Sequence, residues 1–142
     1  MSKYVILLLL LVHSMYADMY WADDYKSGIK EAAQKQKKVL ILFSKEDCVK
    51  CEEILWTISF DKNVSDYVNE NFVAVEIDIE YDKREGYKVY KTPTIYFLDA
   101  NAKQIGKPLT EMLGPQGFLK KLKLGYCIQS RKMGSRVFSV LW

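Results

Sequence analysis

Apolar and polar positions follow three different rhythms along this chain, and each rhythm predicts an element. From Trp21 to about Lys37, Tyr25, Ile29, Ala32, Ala33 and Gln36 recur on one side with lysines and glutamate opposite, which predicts a helix. Gly28 weakens that helix slightly. "KVLILF", Lys38 to Phe43, is a continuous run of branched and apolar residues, and such a run reads as a strand buried on both faces. After "SKED" and two cysteines, Ile54, Leu55 and Ile58 return to helical spacing. Asp61 then stands where a cap belongs, ahead of a second helix with Val64, Tyr67 and Val68 inward.

The second half of the chain continues the alternation. "NFVAVEIDI", Asn71 to Ile79, sets Phe72, Ala74, Glu76 and Asp78 against Val73, Val75, Ile77 and Ile79, a strand whose faces differ in polarity. Glu80 to Lys91 reads as a loop and a short helix. "TPTIYFLD", Thr92 to Asp99, is a third strand, followed by a turn at "ANAK" and a short fourth strand near "KQIGK". "PQGFLKKLKLG" closes as a helix, with Pro115 in its first turn, Phe118, Leu119 and Leu122 inward, and Gly125 as its stop. Strands alternating with helices describe an α/β layered domain.

The amino terminus stands apart from this pattern. Lys3 is followed by the nine-residue apolar run Tyr4 to Val12, and then by small residues at Ser14 and Ala17. That is the layout of a secretory signal peptide, and the run is about half of the ~20 residues a spanning helix needs. The expected organisation is a signal peptide over 1–17, one domain over 18–125 and a tail over 126–142. Cleavage after Ala17 removes His13, the single histidine of the 142-residue chain. A mature protein without histidine has neither the usual Cys-His and Ser-His nucleophile pairs nor a Cys/His zinc site. The formal net charge of +3 is mild and its lysines and acids are interspersed, which argues against a nucleic-acid partner.

Three cysteines then carry the candidate chemistry: Cys48, Cys51 and Cys127. Export favours disulfides, and an odd number leaves one thiol free or paired with another molecule. "CVKC" is open to three readings: a redox couple, part of a metal site, or a structural staple. A metal would need Cys127 and carboxylates to complete its ligands without histidine, and a CxxC staple closes too small a loop to stabilise much. A redox couple needs two sulfurs able to close to about 2 Å and an attacking sulfur favoured as thiolate, and a helix start supplies both. Cys48 falls at the helix mouth, exposed, and is the candidate nucleophile; Cys51, one turn in and more buried, is the candidate resolving thiol. Lys50 favours the thiolate, while Glu46, Asp47, Glu52 and Glu53 oppose it. Opposing the thiolate destabilises the reduced form, so the acidic surround points to a reductant. The pair Thr92-Pro93, about 40 residues beyond, opens an apolar strand at a place where a missing N–H is tolerated.

CxxC after a buried strand, then a helix, a strand and "TPT" opening another, resembles the thioredoxin family. It is most similar to the exported thioredoxin-like proteins related to the C-terminal domain of the periplasmic disulfide-reducing electron transporter. The resemblance spans Trp21 to Leu124 and rests on "KQKKVLILF", "SFDKNVSDYVNENFVAVEID", "TPTIYFLDANAK" and "GPQGFLKKL", in that order. It implies a thioredoxin fold, a central mixed β-sheet flanked by helices. It also implies that Cys48 attacks, Cys51 resolves, Pro93 is a cis-proline facing them, and the Thr92 backbone pairs with a client strand. Two departures stand out: Asp47 replaces the aromatic that precedes the first cysteine in thioredoxin, and Leu42 occupies the place of its buried acid, six residues before Cys48. They imply slower exchange or a different client.

The expected function is an exported, periplasmic or extracellular thiol–disulfide oxidoreductase, a reductase rather than an oxidase, working as a monomer without a cofactor or metal. Its partners would be proteins with oxidised cysteines and a membrane or soluble dithiol electron donor. The alternative is a thioredoxin-fold binding module whose CVKC is inert and whose edge or tail docks a partner.

Overall fold

The computed structural model describes residues 18–111 and 113–125; the segments 1–17 and 126–142, with the expected signal peptide, tail and Cys127, lie outside the described residues. Strand β1 (Trp21–Ala22) is followed by α1 (Tyr25–Lys35), β2 (Lys38–Ser44), α2 (Val49–Phe60), α3 (Lys62–Asn71), β3 (Phe72–Asp78), β4 (Thr94–Leu98) and α4 (Pro115–Gly125). The sheet runs in the order β1-β3-β2-β4. β1 and β2 pair parallel with β3, and β4 pairs antiparallel with β2, so the sheet is mixed.

The unbroken apolar run of β2 has the role its composition predicts. Val39 to Phe43 are all fully buried, because helices cover both faces of the strand. On one face Leu40, Leu42, Phe72, Ala74, Ile95 and Phe97 pack beneath α2, α3 and α4 through Ile54, Ile58, Val64, Val68, Phe118 and Leu122. On the other, Val39, Ile41, Phe43, Val73, Val75 and Ile77 meet Ala32 of α1 and the Val89 loop. β3 differs from the expectation of two faces of unlike polarity: it is an interior strand, so Phe72 to Val75 are buried on both sides. Its polar character is confined to Glu76 and Asp78 near its end.

Three further expectations change. Trp21 and Ala22 do not begin the first helix; they form β1, in register with Ala74 and Val75. The helix starts later because Asp24 and Ser27 make a capping box, with the Asp24 carboxylate accepting from Ser27 N–H at 2.8 Å. Its buried residues are Gly28 and Ala32, while Ala33 and Gln36 face solvent. Residues 80–91 hold no helix, only turns, and Glu85 and Gly86 sit at positive φ of 47° and 85°, which breaks any helical run there. The loop is pinned instead by Tyr87, whose ring packs on Phe43 and Tyr96 and whose hydroxyl lies 3.2 Å from that of Tyr25. Burial, and then that hydrogen bond, push the Tyr87 phenol well above its ordinary value. The fourth strand near "KQIGK" is reduced to isolated bridges, Leu98 with Gln104 and Ile95 with Leu109. Pro108, which has no N–H to donate, interrupts that segment.

Asp61 does cap α3, accepting from Val64 N–H at 3.1 Å, and Pro115 does open the last helix. Gly28 proves to be a packing residue rather than a flaw in α1. A Cβ there would run into Val75 Cγ2 and stand 3.3 Å from Ala22 Cβ, so the close approach of α1 to β3 needs glycine. The substitution Gly28→Ala therefore should destabilise the fold by about 1–3 kcal/mol despite the better helix propensity of alanine. A lower urea midpoint at unchanged slope is the expected reading; a midpoint equal to or above that of the parent would refute it.

Candidate active site

β2 ends at Ser44 and the chain leaves the sheet through Lys45–Asp47. Asp47 takes a left-handed conformation, φ 55°, which aspartate tolerates better than most residues. This turn delivers Cys48 to the N-cap of α2, with extended backbone at φ −112° and ψ 93°. Cys48 and Cys51 are joined in a disulfide with Cα atoms 5.2 Å apart. Cys48 Sγ also accepts from the Cys51 N–H at 3.2 Å, and the Cys48 carbonyl accepts from Cys51 and Glu52 N–H groups at 2.9 and 3.1 Å. The helix end thus aims its donors at the outer sulfur, the arrangement that favours a thiolate.

The expected contrast in exposure is smaller than the sequence suggests. Cys48 is 9% exposed and Cys51 is 4%, so both are buried, in the expected order. The reason is geometric: Cys48 Sγ is folded back onto the helix end by the disulfide and the Cys51 N–H. Lys50 and Asp47 are both exposed, flanking the pair rather than packing on it.

Thr92-Pro93 is a cis peptide. Thr94 is in register with Phe43, so Thr92 and Pro93 lie at the end of the sheet from which the cysteine loop departs. Pro93 is buried, and Thr94 Oγ1 donates to the Lys91 carbonyl at 2.7 Å, fixing the turn ahead of β4. The outer edge of β4 is bridged at Ile95 and Leu98, which leaves the Thr92 end of that edge beyond the bridges. The structure therefore brings Cys48, Cys51, Thr92 and Pro93 to one end of one sheet.

Three neighbours of Cys51 were not singled out by their sequence spacing. Ser44, Glu76 and Tyr81 line, together with Cys51, a cleft of about 330 Å³ at the flank of α2. Ser44 Oγ donates to Glu76 Oε1 at 2.7 Å, and Tyr81 OH donates to Glu46 Oε2 at 2.8 Å. The Glu46 carboxylate consequently holds the Tyr81 phenol above its ordinary value. A usable signal did exist: Glu76 is a charge inside an otherwise apolar strand. Leu42, in register with Glu76, is fully buried. Among the described residues no group of His, Cys, Asp or Glu side chains is disposed to hold a metal ion.

No curated protein sequence matches the chain. Among solved structures, a thioredoxin from Thermus thermophilus superposes with a TM-score of 0.69 at 24% identity, covering 83% of this chain and 94% of that one. The oxidoreductase DsbH gives 0.66 at 21% identity, over 79% and 87% of the two chains. The C-terminal domain of DsbD from Neisseria meningitidis, in its oxidised form, gives 0.55 at 16% identity, over 70% and 91%. At such identities the likeness is one of fold, and the fold is that of thioredoxin. The sequence model of the thioredoxin-like domain matches residues 25–124, most of the chain, and the protein belongs to that family.

Proposed function

We propose that this protein is a thiol–disulfide oxidoreductase that reduces disulfides in client proteins. The observation that carries the reading is the Cys48–Cys51 disulfide at the amino terminus of α2, with Thr92 and Pro93 at the same end of the sheet. In the reduced protein, the Cys48 thiolate attacks one sulfur of a client disulfide. A Cys48–client bond forms, and the other client sulfur leaves as a thiolate and takes a proton from water. Cys51 then attacks Cys48 Sγ, the internal disulfide closes, and the second client sulfur departs. Two electrons pass from the dithiol to the client, and a dithiol donor must return them. Thr92 serves as the backbone docking point for an extended client segment beside β4.

The direction follows from charge. Glu46, Asp47, Glu52 and Glu53 flank the pair in sequence and outnumber Lys50 between the two cysteines. Negative charge disfavours the thiolate and so the reduced form, which makes the dithiol a better electron donor. A signal peptide over 1–17, for which Lys3 and the apolar run Tyr4 to Val12 speak, would put the domain over 18–125 outside the cytoplasm, periplasmic or extracellular, where a reductant would correct disulfides and depend on a dithiol carrier in or at the membrane. The competing reading, an inert binding module, draws on Leu42, which leaves no acid in the middle of β2.

Two measurements follow. Cys48→Ser should abolish client disulfide reduction while leaving the fold intact; retained turnover in that variant would sink the assignment. The reduction potential of the pair, read with Cys127→Ser by thiol–disulfide equilibration, should lie near about −270 mV, the range of a reductant. A value above about −180 mV would make the protein an oxidase or isomerase, and the absence of a reversible couple would favour the binding module. Lys50→Glu should slow alkylation of Cys48 in the reduced protein by a factor of several, because it replaces the cation between the two cysteines in sequence with an anion. An unchanged alkylation profile would show that the helix end alone sets Cys48 reactivity.

A further inference from the structure

The resolving half of the reaction needs a group that removes a proton from Cys51. An ordinary thiol, with a pKa near about 8.5, is mostly protonated at neutral pH and does not attack a disulfide until that proton leaves. Cys51 is 4% exposed, which limits direct access of solvent base. The cleft at its flank supplies a specific alternative. Ser44, Cys51 and Glu76 line it together, and at about 330 Å³ it has room for several waters.

Glu76 reaches this cleft for reasons of register. Alternation along β3 puts Phe72, Ala74 and Glu76 on one face, the face on which α2 packs through Ile54 and Ile58. β1 stops opposite Val75, so among the described residues no strand covers the outer flank of Glu76, and its side chain is exposed. Its carboxylate is nevertheless oriented, because Ser44 Oγ donates to Oε1 at 2.7 Å. Ser44 is itself buried, at 5% exposure, and belongs to the strand that leads into the cysteine loop. The other charged groups facing the cleft are differently placed. Glu46 is engaged by Tyr81 at 2.8 Å, Asp78 Oδ1 accepts from the Glu80 N–H at 2.8 Å, and Lys45 and Glu52 are exposed on the loop and on α2. Glu76 is the carboxylate that the sheet holds on the α2 side with a second wall residue as its anchor.

We propose that Glu76 is the proton acceptor for Cys51 in the resolving step, acting across the cleft and oriented by Ser44. This inference deepens the oxidoreductase reading and rests on it. The Cys51 Sγ–H proton passes to the Glu76 carboxylate, and the electron pair left on sulfur attacks Cys48 Sγ. The Cys48–Cys51 bond forms as the Cys48–client bond breaks. The client sulfur leaves with the electron pair and takes the proton that Glu76 had accepted. Protein dithiol is thereby oxidised, client disulfide is reduced, and Glu76 returns to its carboxylate form.

The test uses the mixed disulfide of Cys48 with glutathione and follows glutathione release against pH in the full chain. Glu76→Gln keeps the shape and an oxygen for Ser44 but removes the base. Release should slow on the order of 100-fold at neutral pH, the usual scale for losing a general base. The deficit should close at alkaline pH, where hydroxide has already taken the Cys51 proton. Glu76→Asp should recover part of the rate, Ser44→Ala should lose part of it, and Glu70→Gln, an exposed residue near the end of α3 and away from the cysteines, should match the parent. Equal rates for Glu76→Gln and the parent at neutral pH would overturn the assignment. So would a deficit that persists unchanged into the alkaline range, since that is the signature of displaced geometry rather than lost proton transfer. A parent chain that never releases glutathione would overturn the oxidoreductase reading itself, and this inference with it; the two failures are therefore told apart by the parent alone.

Discussion

Everything in this molecule depends on β2 being sealed between two layers. Five consecutive residues, Val39 to Phe43, have no solvent exposure, so the strand can neither shift register nor rotate without turning apolar side chains toward water. It also has a neighbour on each side along its length, β3 in parallel and β4 in antiparallel register. The end of β2 is therefore a fixed point. Asp47 converts that fixed point into a helix start, and the sulfur chemistry begins one residue later. The precision with which Cys48 meets the end of α2 is inherited from the apolar strand before it.

The two sides of the sheet carry different burdens. The α2, α3 and α4 side is a wide core built around Phe72, Phe97 and Phe118. The opposite side has one helix and one loop, and it compensates for the thinner cover by close approach. Gly28 lets α1 settle onto Val75, and Tyr87 ties the loop to Phe43 and Tyr96 by ring contacts at 5.6 and 4.8 Å. That loop leads directly to Thr92 and Pro93. An aromatic cluster far from the sulfurs in sequence thus helps to hold the turn that stands beside them.

Much of this was legible in the order of residues. The unbroken apolar run of β2, the cap at Asp61, the closing helix from Pro115 and the CVKC motif are local signals, each complete within a few positions. The errors share a physical cause. Two residues of β1 are too few to show a period, and they become a strand because β3 offers them partners. The stretch 80–91 lacks a helix because backbone conformations at Glu85 and Gly86 override its helical composition. The Ser44–Glu76 pair joins residues 32 apart, so only the β2–β3 register, with Leu42 opposite Glu76, brings them together. Thr92 and Pro93 could be placed by resemblance, but their position at the cysteine end rests on Thr94 pairing with Phe43.

The brevity of β1 has one more consequence, for the boundary of the sheet. Among the described residues no strand lies beside the outer edge of β3 beyond Val75, and a bare edge invites a strand from another molecule. Here the edge is closed by charge and by its own loop. Glu76 projects a carboxylate at the first unpaired position, and the Asp78 N–H donates to Asp82 Oδ2 at 3.1 Å rather than waiting for a neighbour. The Asp82 N–H in turn donates to the Asp78 carbonyl at 2.8 Å, so both edge groups of Asp78 are occupied from within. A second copy that tried to extend the sheet would have to open that loop and bring carboxylates face to face. Polar residues that break the apolar rhythm of β3 thereby act as gatekeepers against edge-to-edge association.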